Sequence, residues 1–417
     1  MTARTISEKI LSARSGRDAR AGDVVVCDVD LVLGTDASSP MAIDYFHQMG
    51  GTKLFDATKV VFALDHYAPP ETAATRGFHE RIQSFAKTHG AQVRAVGDGI
   101  SFQVAMETGR VRPGDLVIGA DSHTVTCGAL GAFATGVGSS DLAAAMITGQ
   151  MWLRVPETIR VTLTGTKAAN ISAKDIALEM VRRLGAEGAN YRALEFYGAA
   201  VASLSVDDRM VICNLAVECG AKAAMFPNDG ITSSYLGPRT YAEFAPIVSD
   251  AGAQYAQELE IDLSALSPQI ALPHAPDNVK PLAAAEGTPI HMVFLGTCTG
   301  GRADDFREAL RVIQKSGGRI ARGVTLVLTP SSRDVHNQLT ADGTLARFQE
   351  LGAIVTTPGC GACCGTSGVI PTDGMNVIST ANRNFKARMG NATASIYLAS
   401  PAACAAAAVA GKIVELA

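Results

Sequence analysis

The feature that most restricts how this chain can fold is a repeated unit: an apolar run, a short polar group, then a stretch of helical character. Lys59 to Leu64 is one such run. Asp65-His66 stands at its exit, and a helix is expected from Thr72 to Thr88. Asp115 to Gly119 is another and ends in Asp121-Ser122-His123. Met292 to Leu295 is a third, leading to Cys298 and a helix from Asp304 to Lys315. Short apolar runs alternating with helices specify an α/β chain with buried parallel strands, and such folds gather their sites where the strands end. Asp23 to Cys27 is expected to be a buried strand of the same kind. The stretch behind it, with Asp28, Asp30, Gly34 and Asp36, is expected to be a polar loop. Ile159 to Leu163 is expected to close the first unit near Gly165.

The second informative stretch is Pro358-Gly359-Cys360-Gly361-Ala362-Cys363-Cys364-Gly365. A C-x-x-C pair serves redox, zinc and iron–sulfur sites alike. Cys298 adds a third thiol in a second glycine-flanked loop. A structural zinc site takes four ligands, whereas a cubane cluster on three cysteines leaves one iron open to substrate. Nine cysteines, odd in number and irregularly spaced, do not make a disulfide framework. They place the chain in a reducing compartment, the cytoplasm. Cys27, Cys127, Cys213, Cys219 and Cys404 read as small buried hydrophobes.

At 417 residues the chain is too long for one ordinary core. Three units are expected, at 1–166, 167–285 and 286–417, with Pro273 to Lys280 as a linker. Hydrophobic residues are 47%, charged residues 18%, and the net charge is -4, the balance of a well-buried enzyme. With no basic run, the chain lacks an electrostatic footprint for nucleic acid. Met1 to Arg20 has no apolar core of a signal peptide. Leu130 to Ile147 is interrupted by glycines and Asp141, so no membrane span is expected.

Elsewhere, Ser172 is expected to cap a helix with Asp175 at its third position. A helix capped at Ser205 carries Asn214 and Glu218 four apart, on one face. That face is either solvated or turned into a cleft. Arg383 and Arg388 lie in a loop beyond the expected strand Val377 to Thr380, and a guanidinium there suits a carboxylate. Ser400-Pro401 opens the last helix as N-cap and first turn.

Taken together, Asp65-His66, Gly119-Ala120-Asp121-Ser122-His123-Thr124, Ile212-Cys213-Asn214 with Glu218, Gly296-Thr297-Cys298-Thr299, Pro358-Gly359-Cys360 with Cys363, and Ser379 to Phe385 with Arg388 resemble the aconitase family. The likeness runs over essentially the whole chain, within the branch of isopropylmalate dehydratase and homoaconitase large subunits. The resemblance implies three α/β domains around a central cleft, without the fourth, swivelling domain of single-chain aconitases. It implies a [4Fe-4S] cluster on Cys298, Cys360 and Cys363, and a hydro-lyase acting on a hydroxy di- or tricarboxylic acid. In that reading His66, oriented by Asp65, is the acid for the departing oxygen. Asp121, Ser122, His123 and Glu218 complete the catalytic set, and Asn214, Arg383 and Arg388 hold substrate. A separate small subunit is expected to supply the swivelling domain and its serine base.

Three positions depart from the family pattern. Phe102 stands where a histidine paired with the Asp-Ser-His aspartate is usual. Gly300 replaces the asparagine of Cys-Thr-Asn, and Cys364 is an additional thiol, expected to face away from the other two. These departures leave room for a paralogue acting on another substituted malate or a homoaconitate-type acid, or for a dehydratase with a single metal ion. An iron-sensing RNA binder fits less well, because a basic patch is missing. Phenylalanine cannot carry a proton, so Asp121 is expected to need another partner.

Overall fold

The computed structural model describes residues 3–240 and 242–416. Three sheets organise them. The first has five parallel strands in the order Gln92–Arg94, Val60–Ala63, Leu31–Thr35, Leu116–Gly119, Phe133–Gly136. The second has four parallel strands, Ala223–Met225, Ala193–Tyr197, Thr158–Thr164 and Gln257–Asp262. The third has seven, Val279–Pro281, Gln269–Ala271, Ser395–Ala399, Asn376–Ser379, Met292–Gly296, Thr325–Thr329 and Ile354–Val355. Its last five are parallel and its first two antiparallel.

The local signals explain many of the helices. Ile6–Ser15, Ala173–Leu184 and Val206–Leu215 each begin with a capping box, on Thr5/Glu8, Ser172/Asp175 and Ser205/Asp208. Such caps satisfy amide groups that a helix leaves unpaired at its start. Pro401–Ala410 starts at Ser400, whose side chain accepts from Ala403 N.

Four expectations change. Val24–Asp28 is not a buried parallel strand. It pairs antiparallel with Gln150–Arg154 in a separate ribbon and alternates exposed and buried residues. The expected polar loop contains Leu31–Thr35, the buried central strand of the first sheet. Gly34 is required there, since a Cβ would lie 2.5 Å from the Phe62 ring on the neighbouring strand. Thr158–Thr164 does not close the first sheet but pairs along both edges in the second, where Ile159, Val161 and Leu163 share the one face turned into the apolar core. The expected linker around Pro273 is the turn of a hairpin whose strands edge the third sheet.

The lobes share apolar cores. One cluster joins Leu33 and Val117 of the first sheet, Ile176 and Ile212 of the second lobe, and Cys298 of the third. That shared packing holds the carboxyl ends of strands from different sheets around one cleft. Among the described residues no helix is long and apolar enough to cross a membrane.

Candidate active site

The strand ends supply the site. A cavity of about 200 Å³ is bordered by His66, Asp121, Ser122 and His123 from the first lobe, and by Cys298, Cys360, Cys363, Arg383 and Arg388 from the third. Asp65, Asn214 and Glu218 stand directly behind these, so each sequence-predicted site residue belongs to this one region.

Asp65 is fully buried. Its Oδ1 lies 2.8 Å from His66 Nδ1, and its Oδ2 accepts from Ser101 N at 2.8 Å. On the other side of the ring, His66 Nε2 is 3.4 Å from Asp121 Oδ2. Burial opposes a charge on His66, but the Asp65 and Asp121 carboxylates outweigh it and hold the imidazole well above its ordinary pKa. Burial raises Asp65 to about 6 against the pull of His66. Asp121 caps the 3-10 helix Ser122–Leu130 and accepts from His123 N at 2.7 Å. Burial disfavours its charge, yet hydrogen bonds from His123 and His66 hold it well below the carboxylate range. The absence of a histidine at Phe102 is therefore met locally. Asp121 is partnered by His66 and by a backbone amide, while Phe102 is buried to 1% exposure and lines the cavity as an apolar wall.

A second chain of contacts crosses the lobes. His123 Nε2 is 3.1 Å from Glu218 Oε1, and Arg383 Nε donates to the same oxygen at 2.7 Å. Glu218 is not on the helix of Asn214. That helix ends at Leu215, and Glu218 sits in the 3-10 turn Ala216–Cys219 that follows. Both side chains still turn inward, which settles the choice between a solvated face and a cleft.

Asn382 was not singled out by sequence, yet it organises the thiols. Its Nδ2 donates to Cys298 Sγ and to Asn214 Oδ1, both at 3.2 Å, and its Oδ1 is 3.4 Å from Cys363 Sγ. Asn214 Nδ2 donates in turn to Thr126 Oγ1 at 2.8 Å. Arg388 lies 3.8 Å from Cys363 Sγ. Hydrogen bonding from Cys360, with the Arg388 guanidinium beside it, holds the Cys363 thiol well below its usual range. Beneath this loop, fully buried Lys174 donates to the Thr380 and Ala381 carbonyls at 2.9 and 2.5 Å. A lysine at a helix start gave no signal of that role.

Cys364 does not face away. Residues Gly361–Cys364 form a 3-10 turn, so adjacent side chains are not on opposite sides as in an extended loop. Cys364 borders the cavity, 2.7 Å from Thr366 Oγ1. Gly300 also has a local cause. A Cβ there would fall 2.2 Å from Thr380 Cβ, and the Thr380 hydroxyl is committed to Gly296 N at 2.9 Å.

Which groups could hold a metal? Asp36, Asp65 and His66 offer ligand atoms within 4.8 Å of one another. Their oxygens are already occupied: Asp36 accepts from His66 N, Tyr67 N and His79 Nε2. That trio is a positioning network. The three sulfurs of Cys298, Cys360 and Cys363 around one cavity, with amide and guanidinium groups beside them, are instead a donor set that fits an iron–sulfur group.

A parallel α/β fold with strand-end acids, a histidine and three convergent thiols defines the class. Residues 8–411 match the model of the aconitase family (aconitate hydratase), and the chain belongs to that family of hydro-lyases. It is 42% identical to 3-isopropylmalate dehydratase large subunit 1 of Methanopyrus kandleri over 413 residues, 99% of this chain and 98% of the relative. It is 43% identical to large subunit 2 of the same enzyme from Archaeoglobus fulgidus and to large subunit 1 from Thermotoga maritima, with the same coverage.

Proposed function

We propose that this chain is the large subunit of a dehydratase of the 3-isopropylmalate type, removing and re-adding water across a carbon–carbon bond of a substituted malate. The observation that carries this reading is the meeting of Cys298, Cys360 and Cys363 with Asp65-His66, Asp121 and two arginines at one cavity. The relatives' names support the substrate and the need for a small subunit. The lobes correspond to the three sheets, with boundaries before Thr158 and before Gln269.

Cys298, Cys360 and Cys363 would hold a [4Fe-4S] cluster, which when bound supplies a Lewis acid for the substrate's hydroxyl and carboxylate. The chain's own residues do the rest. His66 keeps a proton at Nε2 while its Nδ1 faces Asp65, and it delivers that proton to the departing oxygen. Asp121, Ser122 and His123 orient the oxygen and the water that replaces it. Arg388 and Arg383 bind carboxylates, and the charge that builds beside a carboxylate is stabilised by these cations in a partly dry cleft. Glu218 fixes both His123 and Arg383. Asn214 acts through Asn382 and Thr126 as a positioning residue. The apolar Phe102 wall suits a substrate with a hydrocarbon branch. The base for the carbon-bound proton is expected on the small subunit.

The test is anaerobic reconstitution with iron and sulfide, followed by assay with and without the cognate small subunit. Four irons and four sulfides per chain, lost in Cys298→Ser and Cys360→Ser, with dehydration of 3-isopropylmalate only in the two-chain mixture, are expected. A single metal ion per chain, or full stoichiometry in both serine variants, would overturn the cluster assignment.

A further inference from the structure

A second cavity, of about 290 Å³, lies where helices from all three lobes meet. It shares a wall with the cleft: in the helix Ser101–Glu107, Phe102 borders the cleft while Gln103 and Glu107 border the second cavity. Two polar groups there stand out. Arg302, 1% exposed, has no protein partner on either terminal guanidinium nitrogen, and only its Nε is engaged, 3.2 Å from Met210 Sδ and 3.8 Å from Asp207 Oδ1. Gln103, 2% exposed, has no protein donor for its Oε1, while its Nε2 donates to Glu107 at 2.8 Å. Buried polar groups are ordinarily hydrogen-bonded, and a buried guanidinium with two idle donors is a large exception.

The two groups ask for opposite chemistry. Arg302 presents donors in the forked arrangement that matches a carboxylate. Gln103 Oε1 presents an acceptor, and among the residues that line the cavity Asp207, Asp304 and Asp334 outnumber the guanidinium groups of Arg239 and Arg302, which favours a cation. Between them, Val206, Ile231 and Val335 supply apolar surface. A simple anion would satisfy Arg302 but face the carboxylates. A simple cation would leave Arg302 unpaired. The volume is near the lower end of the range of roughly 300–1,000 Å³ usual for small-molecule sites.

We propose that this inter-lobe cavity binds a small zwitterion, an α-amino acid with a short apolar side chain, its carboxylate on Arg302 and its ammonium on Gln103 Oε1. The site is separate from the catalytic cleft and does not depend on the assignment made for that cleft. Because its walls come from three lobes, an occupant would tie them together. Arg302 is four residues from Cys298, and Gln103 adjoins Phe102, so the same occupant would stiffen the wall of the cleft.

The experiment is thermal unfolding and calorimetric titration of the full chain with L-valine, N-acetyl-L-valine, isovalerate and isobutylamine. L-valine is expected to bind with one-to-one stoichiometry and to raise Tm by several degrees at saturating concentration, since a ligand that binds only the folded state stabilises it. The three analogues, each lacking one charge, should bind at least tenfold more weakly. Binding should be lost in Gln103→Leu and in Arg302→Gln and retained in Arg388→Gln, whose side chain lies in the cleft. If Arg302→Gln does not fold, Gln103→Leu carries the test. If L-valine does not bind, or isovalerate or isobutylamine binds as well as it does, or binding survives Gln103→Leu, the proposal is wrong.

Discussion

Asn382→Leu tests whether one amide sets the positions of the thiols. The substitution keeps the number and branching of side-chain heavy atoms and removes every polar one. Asn214 Oδ1 then loses its donor at 3.2 Å, and a buried acceptor without a partner costs about 1–3 kcal/mol. The contacts to Cys298 and Cys363 Sγ involve weak hydrogen-bonding groups and contribute less. The extra apolar burial returns part of this, on the order of 1 kcal/mol, leaving a net loss of about 2 kcal/mol. The second half of the test is Asn214→Leu in the same chain. Thr126 Oγ1 keeps its own bond to His123 O at 2.6 Å, so the double variant has no orphaned acceptor at Asn214. Replacing both partners by apolar groups can be nearly neutral. The double variant is therefore expected to be less destabilised than the sum of the singles, with a coupling of about 1–2 kcal/mol. Urea unfolding of the metal-free chain measures these energies, and the alkylation rates of Cys298 and Cys363, read by mass spectrometry, should rise in Asn382→Leu. Additive losses, with alkylation unchanged, would refute the view that Asn382 holds the thiols together.

Three further outcomes are expected. Phe102→His should not raise turnover of the reconstituted two-chain enzyme, because Asp121 is already partnered by His66 and His123 N, and it should lower Tm by exchanging a buried ring for a polar one; a tenfold gain in kcat/KM would show that reasoning to be wrong. Gly300→Ala should destabilise by about 1–3 kcal/mol through overpacking against Thr380, and an unchanged urea midpoint would contradict it. Glu107 is raised from 4.5 to about 7 by burial, so the folded chain binds its proton more tightly than the unfolded one. Its contribution to stability is present below pH 4.5 and is lost as pH rises to 7, by about 2 kcal/mol after allowance for its partial exposure; Glu107→Gln should flatten that slope and be the more stable form above pH 7, as Tm measured against pH would reveal.

How much of this was legible beforehand follows from where information is local. The helix caps at Thr5, Ser172, Ser205 and Ser400 lie within a few residues of what they cap, and each is written in consecutive letters. The strand Leu31–Thr35 was hidden because three aspartates and a glycine surround a run of only three apolar letters. Gly34 is explained by Ser39 at the start of the following helix and by Phe62 on the next strand, both of which a Cβ would strike. Sheet membership of Thr158–Thr164 depends on partners dozens of residues away. In the site, the acids, histidines and thiols were readable as chemical types. Asn382 and Lys174 were not, since their work is done through groups that only the fold brings near.

The thiol turn leans on the first lobe through its backbone. Cys360 N donates to Asp65 O at 2.9 Å, the Thr366 and Ser367 hydroxyls donate to His66 O, and a side chain at Gly359 would strike Asp65 O. The hydroxyl bonds join residues 300 and 301 positions apart. Contacts of such long range form only after much chain entropy has been lost, so they come late in folding. The thiol turn and the Asp65-His66 backbone are thus brought together in one event, near its end. A nascent chain released before the last third is made keeps His66 with Asp65 and Asp121 but lacks all three thiols and the turn that backs the Asp65 and His66 carbonyls.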